Sequence, residues 1–292
     1  MAQARFLFVF ALPLVALAGA FPSPPAVDAQ PPGMPRPGWP QRLTLAILPY
    51  QVPPHIYDMW TPVADHLSDK LGMFVRVTTT TAYEDYVREV LVQRPELAYF
   101  NSLQYLTAHR DGGYDALVAP NQKMVGRLVV RVDSPIRTLG DLRGRSIALL
   151  PSSAMPGHLQ PKALLLDHGL VAGRDYSVVE VANHDLSINA VVTRRVHAGA
   201  TGVAAFETLP AATKAELRIV AETPPQPPVV IAARRDVDPS LREAVARALL
   251  SLGDEPRGRE ILRPLGWDRL VRATDADYHP TREFARKLGL TY

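Results

Sequence analysis

Any chemistry in this chain has to come from a few polar residues set beside small or aromatic ones. Five stretches stand out: Pro49-Tyr50-Gln51, Tyr99-Phe100-Asn101-Ser102, Pro151 to His158, Asn183-His184-Asp185 and Thr201-Gly202. Each follows a short apolar run, and most open a helical pattern, so each reads as a strand-to-helix junction. Open sheets bind ligands at the carboxyl ends of their strands. There the helix N-termini offer free N–H groups and a partial positive charge, which suits an anion. Tyr50 supplies a flat wall with a hydroxyl donor. Tyr99 stands beside Asn101 and Ser102, which either cap the next helix or leave its N–H groups to a ligand. Ser152 and Ser153 share a small-residue loop with His158, where hydroxyls, N–H groups and a helix dipole converge. This is the strongest local candidate for an anion cradle, although an ordinary turn would use the same residues. His184 can donate to an oxyanion, with Asp185 orienting it or capping the helix. Thr201 is the weakest of these candidates.

Catalytic readings lack support. The chain has no G-x-S-x-G elbow, no H-E-x-x-H and no G-x-x-x-x-G-K-[ST] loop. Its eight histidines form no metal pair at helical spacing. Asp65-His66 and His184-Asp185 are adjacent pairs rather than triads. No catalytic residue, metal or cofactor is expected.

The composition is that of a soluble globular protein, 47% hydrophobic and 21% charged. A formal net charge of +3 is too small and scattered to argue for nucleic acid. Cysteine is absent, which excludes disulfides, thiolate chemistry and a lipoprotein anchor in this sequence. Arg5, the apolar run Phe6 to Leu17 and Ala18-Gly19-Ala20 read as a signal peptide over residues 1–20. Residues 21–41, rich in proline, read as an extended linker. Export to the periplasm is the expectation.

Behind the junctions stand the elements that must position them. Strands are expected at Leu43–Leu48, Phe74–Thr80, Leu97–Phe100, Arg127–Val132, Ser146–Leu150, Tyr176–Val181, Ala198–Thr201 and Val229–Ala233. Between them lie helical patterns, the clearest with Ile56, Trp60, Val63, Leu67 and Leu71 on one face and Gly72 as its stop. The alternation predicts an α/β protein with mostly parallel sheets flanked by helices. Extended crossings near 123–128 and 222–229 divide it into a first lobe (42–125), a second lobe (126–224) and a return to the first (225–292). The return ends in a helical tail, in which Asp238 caps a helix faced by Leu241, Val245, Leu249 and Leu252. Two lobes joined by two crossings suggest hinge closure on a ligand.

Several stretches carry a resemblance. Glu96 to Tyr105, Val130 to Ile136 followed by Leu139 to Arg145, Gly157 to Pro161, His184-Asp185 and Val196 to Ala200 are similar to segments of the periplasmic phosphate/phosphite/phosphonate-binding proteins of ABC importers. The resemblance covers about residues 42 to 290. It implies the type II solute-binding fold and a monomeric receptor that closes on a small oxyanion. The partner would be an ABC permease, or a membrane histidine kinase if the chain is a sensor. Three departures bear on the ligand. The family's hydroxyl positions fall on Ala154, Met155 and Pro156, its Gly-Pro is Asn101-Ser102, and Pro227-Pro228 stand where many members have an acid. The departures argue against an aminoalkylphosphonate and leave a non-phosphorus organic solute as the alternative.

Overall fold

The computed structural model describes residues 38–292. The expected signal peptide and nearly all of the proline-rich linker lie outside the described residues. In chain order the elements are β1 (Arg42–Ile47), α1 (Pro53–Leu71), β2 (Phe74–Thr79), α2 (Tyr86–Gln93), β3 (Leu97–Phe100), α3 (Ser102–Gly112) and β4 (Tyr114–Pro120). Next come β5 (Gly126–Arg131), β6 (Ser146–Leu149), α4 (Gln160–Asp167), β7 (Ser177–Glu180), α5 (His184–Val192), β8 (Ala198–Gly202), α6 (Val203–Glu207), α7 (Ala211–Ala215) and β9 (Leu217–Glu222). The chain closes with β10 (Val230–Arg234), α8 (Pro239–Ser251), α9 (Pro256–Leu262), β11 (Leu270–Arg272) and α10 (His279–Lys287). No helix among the described residues is long and apolar enough to cross a membrane.

Two sheets result. One has the order β11-β4-β10-β3-β1-β2 and the other β7-β6-β8-β5-β9. The β/α runs pair in parallel, β1 with β2 and β3, and β6 with β7 and β8. The expectation of mostly parallel sheets is narrowed here, because both sheets are mixed. β10 runs antiparallel to β3 and β4, and β5 runs antiparallel to β8 and β9. The cause is topological: β5 and β10 each follow a crossing, so each enters its sheet from the end facing the other sheet. The two crossings also pair with each other. Met124 and Gln226 exchange two backbone hydrogen bonds of 2.9 Å, and Gln160 Nε2 donates to the carbonyls of Met124 and Pro224 at 3.2 and 3.1 Å.

Local sequence explains the elements that flank the cleft. In α1 the apolar face expected from the spacing is buried in full, from Ile56 to Leu71. Pro53 and Pro54 open it where no N–H is needed, and Gly72 ends it at φ 66°. Burying a large aliphatic side chain of this kind stabilises the fold by about 1.5–3 kcal/mol. In α3 the Asn101 side chain accepts from Gln104 N–H at 2.8 Å while Gln104 reaches back to Asn101, a closed capping box. The Asp238 carboxylate caps α8, and Leu241, Val245, Leu249 and Leu252 pack into the core shared with α1. β11 then adds to the first sheet beside β4, fixing the C-terminal segment there.

Candidate ligand-binding cleft

A cavity of about 300 Å³ lies between the two sheets. β1, β3 and β8 point their carboxyl ends at it, delivering Leu48 and Tyr50, Tyr99 and Asn101, and Gly202 and Val203. Of the residues expected from the sequence, Tyr50, Tyr99, Asn101 and His184 line the cavity.

Tyr50 belongs to an aromatic group. Its hydroxyl accepts from Trp60 Nε1 at 3.1 Å and turns toward Met59 Sδ at 3.9 Å. Its ring stands 5.8 Å from that of Tyr99, which lies 4.7 Å from Trp60 and 5.9 Å from Trp267. Burial holds both tyrosine hydroxyls protonated, well above their ordinary range. The Tyr99 hydroxyl makes no hydrogen bond among the described residues, so it is free to serve a ligand. Gln51 lines the cavity as well, and its amide oxygen is buried without a partner among the described residues.

His184 sits at the first turn of α5. Its Nδ1 accepts from the Gly202 N–H at 3.3 Å and faces Thr201 Oγ1 at 3.2 Å. An acceptor at Nδ1 puts the ring proton on Nε2. Burial lowers the imidazole pKa from 6.5 to about 4, so the ring is a neutral donor at physiological pH. Thr201 therefore lies behind the cavity wall and supports His184.

The other expected residues point elsewhere. Ser102 is fully buried within the start of α3, since Asn101 rather than Ser102 takes the capping role. Asn183, not Asp185, caps α5 through Leu186 N–H, and Asp185 pairs with His55 at 3.6 Å. His158 faces the Leu150 carbonyl through Nδ1 at 2.6 Å. Ser152 and Ser153 donate to Glu84 at 3.1 and 2.9 Å, outside the cavity lining. The loop's cavity-facing side belongs to Pro156. Ala154 and Met155 are buried in an apolar core continuous with that of the first sheet. Met155 and Pro156 begin a widened helical turn, Met155–Leu159, that leads into α4.

Those serine bonds form part of a seam. Glu84 lies on the first-sheet side, the serines on the second. Asn101 Nδ2 donates to the Ser153 carbonyl at 3.1 Å and to Tyr83 hydroxyl at 2.9 Å, and the His184 N–H approaches the Tyr50 carbonyl at 3.5 Å. The arrangement is a closed one.

Sequence reasoning missed the rest of the wall. Tyr83 follows β2 at a strand-to-helix junction, so the rule that found Tyr99 applied to it too. Leu265 and Trp267 have no such signal, because the tail returns to the cleft from far along the chain. Gln122 Nε2 donates to the Gly266 carbonyl at 3.4 Å, and Gly266 lies against Ala204 of α6.

A family model described as the ABC transporter phosphonate periplasmic substrate-binding protein matches residues 45–278. The chain belongs to this family. Members of this family are substrate-binding proteins of transporters rather than enzymes. The chain is 21% identical over 255 residues to the phosphonates-binding periplasmic protein of Escherichia coli, covering 83% of this chain and 75% of that one. It is 24% identical over 189 residues to a phosphate-import protein of Mycolicibacterium smegmatis, covering 59% of this chain and 57% of the relative. Among solved structures, the Prochlorococcus marinus PhnD1 complex with methylphosphonate superposes with a TM-score of 0.77 at 18% identity, covering 86% and 99% of the two chains. The fold is therefore that of the type II periplasmic binding proteins.

Proposed function

We propose that the protein is a periplasmic receptor of an ABC importer, exported by residues 1–20, that closes on a small molecule bearing an oxyanion. The lobes would run 42–125 and 225–292 for the first, and 126–224 for the second, with the paired crossings as hinge. The observation that carries this reading is the seam at Glu84, Ser153, Asn101, Tyr50 and His184, contacts that exist only when the two sheets' loops meet around a cavity. The neutral His184 Nε2–H, the Tyr99 hydroxyl and the Gln51 amide supply hydrogen bonds from both sides of the cleft. The names of the relatives, phosphonate- and phosphate-binding, support the oxyanion. Closure is driven by whatever free energy the ligand gains in the closed state over the open one.

The test is a thermal-shift screen of the chain from about Phe21 against phosphate, phosphite, methylphosphonate, 2-aminoethylphosphonate, sulfate and organic solutes. A ligand at roughly 100 times its Kd stabilises the fold by about 2.7 kcal/mol, several degrees at this size. An oxyanion shift that disappears in His184→Ala supports the reading. A shift with neutral solutes only would overturn the oxyanion. Reconstituted uptake with a cognate ABC permease separates import from kinase signalling.

A further inference from the structure

Resting on that reading, we infer that the ligand carries an apolar organic group, and that this group occupies most of the cavity beside a small anionic head. Three observations lead there. First, the loop that would cradle a bare oxyanion presents no hydroxyl to the cavity. Ser152 and Ser153 are spent on Glu84, and Ala154 and Met155 are sealed into the core. Second, among the described residues the lining carries a single unpaired charge, and it is not enclosed. Lys123 is exposed on a crossing, Glu207 is bound by Arg127 and Lys214, and His184 is neutral. An anion met by three neutral donors, from His184, Tyr99 and Gln51, with its one unpaired cation exposed to water, is only partly compensated, so the rest of the ligand must contribute much of the binding energy. Third, what does line the space is hydrocarbon and aromatic surface: Met59, Val203, Val229, Leu265 and Trp267. At about 300 Å³ the cavity sits at the lower end of the size of sites that hold organic ligands.

The probe is a series with one head and growing bodies: inorganic phosphate, methylphosphonate, propylphosphonate and phenylphosphonate, with benzamide as a neutral counterpart, each titrated calorimetrically into the full-length exported protein. Affinity is expected to rise about fourfold for each methylene that the cavity accepts. Val203→Phe, which fills the apolar part from the second lobe, is expected to reverse the order and place phenylphosphonate below methylphosphonate. Trp267→Ala is expected to weaken phenylphosphonate by on the order of tenfold, with a melting curve to verify folding. Phosphate or methylphosphonate binding as tightly as the larger phosphonates, with Val203→Phe leaving the order unchanged, would overturn the inference while leaving the oxyanion receptor intact. Binding of benzamide with none of the anions would instead overturn the oxyanion and leave the apolar site standing.

Discussion

Ser153 Oγ stands 2.9 Å from Glu84 Oε2, a hydrogen bond that joins the loop after β6 to the loop after β2 across the mouth of the cleft. The sequence offered this serine as a ligand contact, but the fold uses it as a latch. Glu84 takes a second bond from Ser152, so one exposed carboxylate gathers both hydroxyls. Glu84→Gln is expected to weaken ligand affinity roughly two- to fivefold, the scale of a solvent-exposed charge-assisted bond. Ser153→Ala should act on the same contact, so the double variant should lose less than the sum of the singles. Calorimetry on the four proteins reads this directly, and additive losses would show that the two residues act separately.

His184 makes stability depend on pH. The folded imidazole refuses a proton until about pH 4, whereas the unfolded one takes it near 6.5. Between those values the unfolded chain holds more protons, so stability rises with pH and falls on acidification. The full effect is on the order of 3 kcal/mol. His158, lowered by burial, adds in the same direction. Melting temperature should fall from pH 7 to pH 5, and His184→Gln should flatten the fall. An identical slope in the variant would remove His184 as its source.

Gly126 begins β5 where the chain leaves the first crossing. A Cβ there would stand 2.5 Å from the Pro156 carbonyl oxygen, a backbone atom with no rotamer to escape into. Gly126→Ala is expected to cost about 1–3 kcal/mol and to push the Pro156 turn away from the crossing. Denaturant melts measure the first, and small-angle scattering of the liganded protein should show a more open molecule.

Asn101 serves two structures at once. Its oxygen caps α3, and its Nδ2 ties Tyr83 to the Ser153 carbonyl. Asn101→Asp keeps the cap but removes the donor and sets a carboxylate against the Ser153 carbonyl at a position 2% exposed, so it should weaken binding more than it lowers the melting temperature of the ligand-free protein. Asn101→Ala loses both, with about 1 kcal/mol of stability from the cap. Equal melting temperatures for the two variants would argue that the cap adds nothing here.

Much of the frame could be read from the sequence because its signals are local. The face of α1, the cap of α8 and the buried run of β3 each depend on residues within a few positions of one another. β4 was missed although Ala116-Leu117-Val118-Ala119 is an apolar run, because Gly112-Gly113 read as a stop and Asp115 interrupts the pattern. β9 and β11 are sheet-edge strands with one buried residue each, Leu217 and Leu270, so their alternation is faint. The site was less legible. Tyr50, Tyr99, Asn101 and His184 follow from the junction rule. Which side of the 151–158 loop faces the cavity is decided by Met155 entering a core built largely from the first sheet and its helices, and no spacing encodes that. Trp267 reaches the cleft only because β11 pairs with β4.

The mutual pairing of the crossings at Met124 and Gln226 sets how the molecule can move. Two single strands would let the lobes slide and twist independently. A ribbon held edge to edge, and pinned at its centre by Gln160, is stiff within its own plane and yields mainly across it. On the proposed hinge, opening would be a swing about one axis, like a book on its spine, with the solute departing through the fore-edge where Glu84 and the two serines meet.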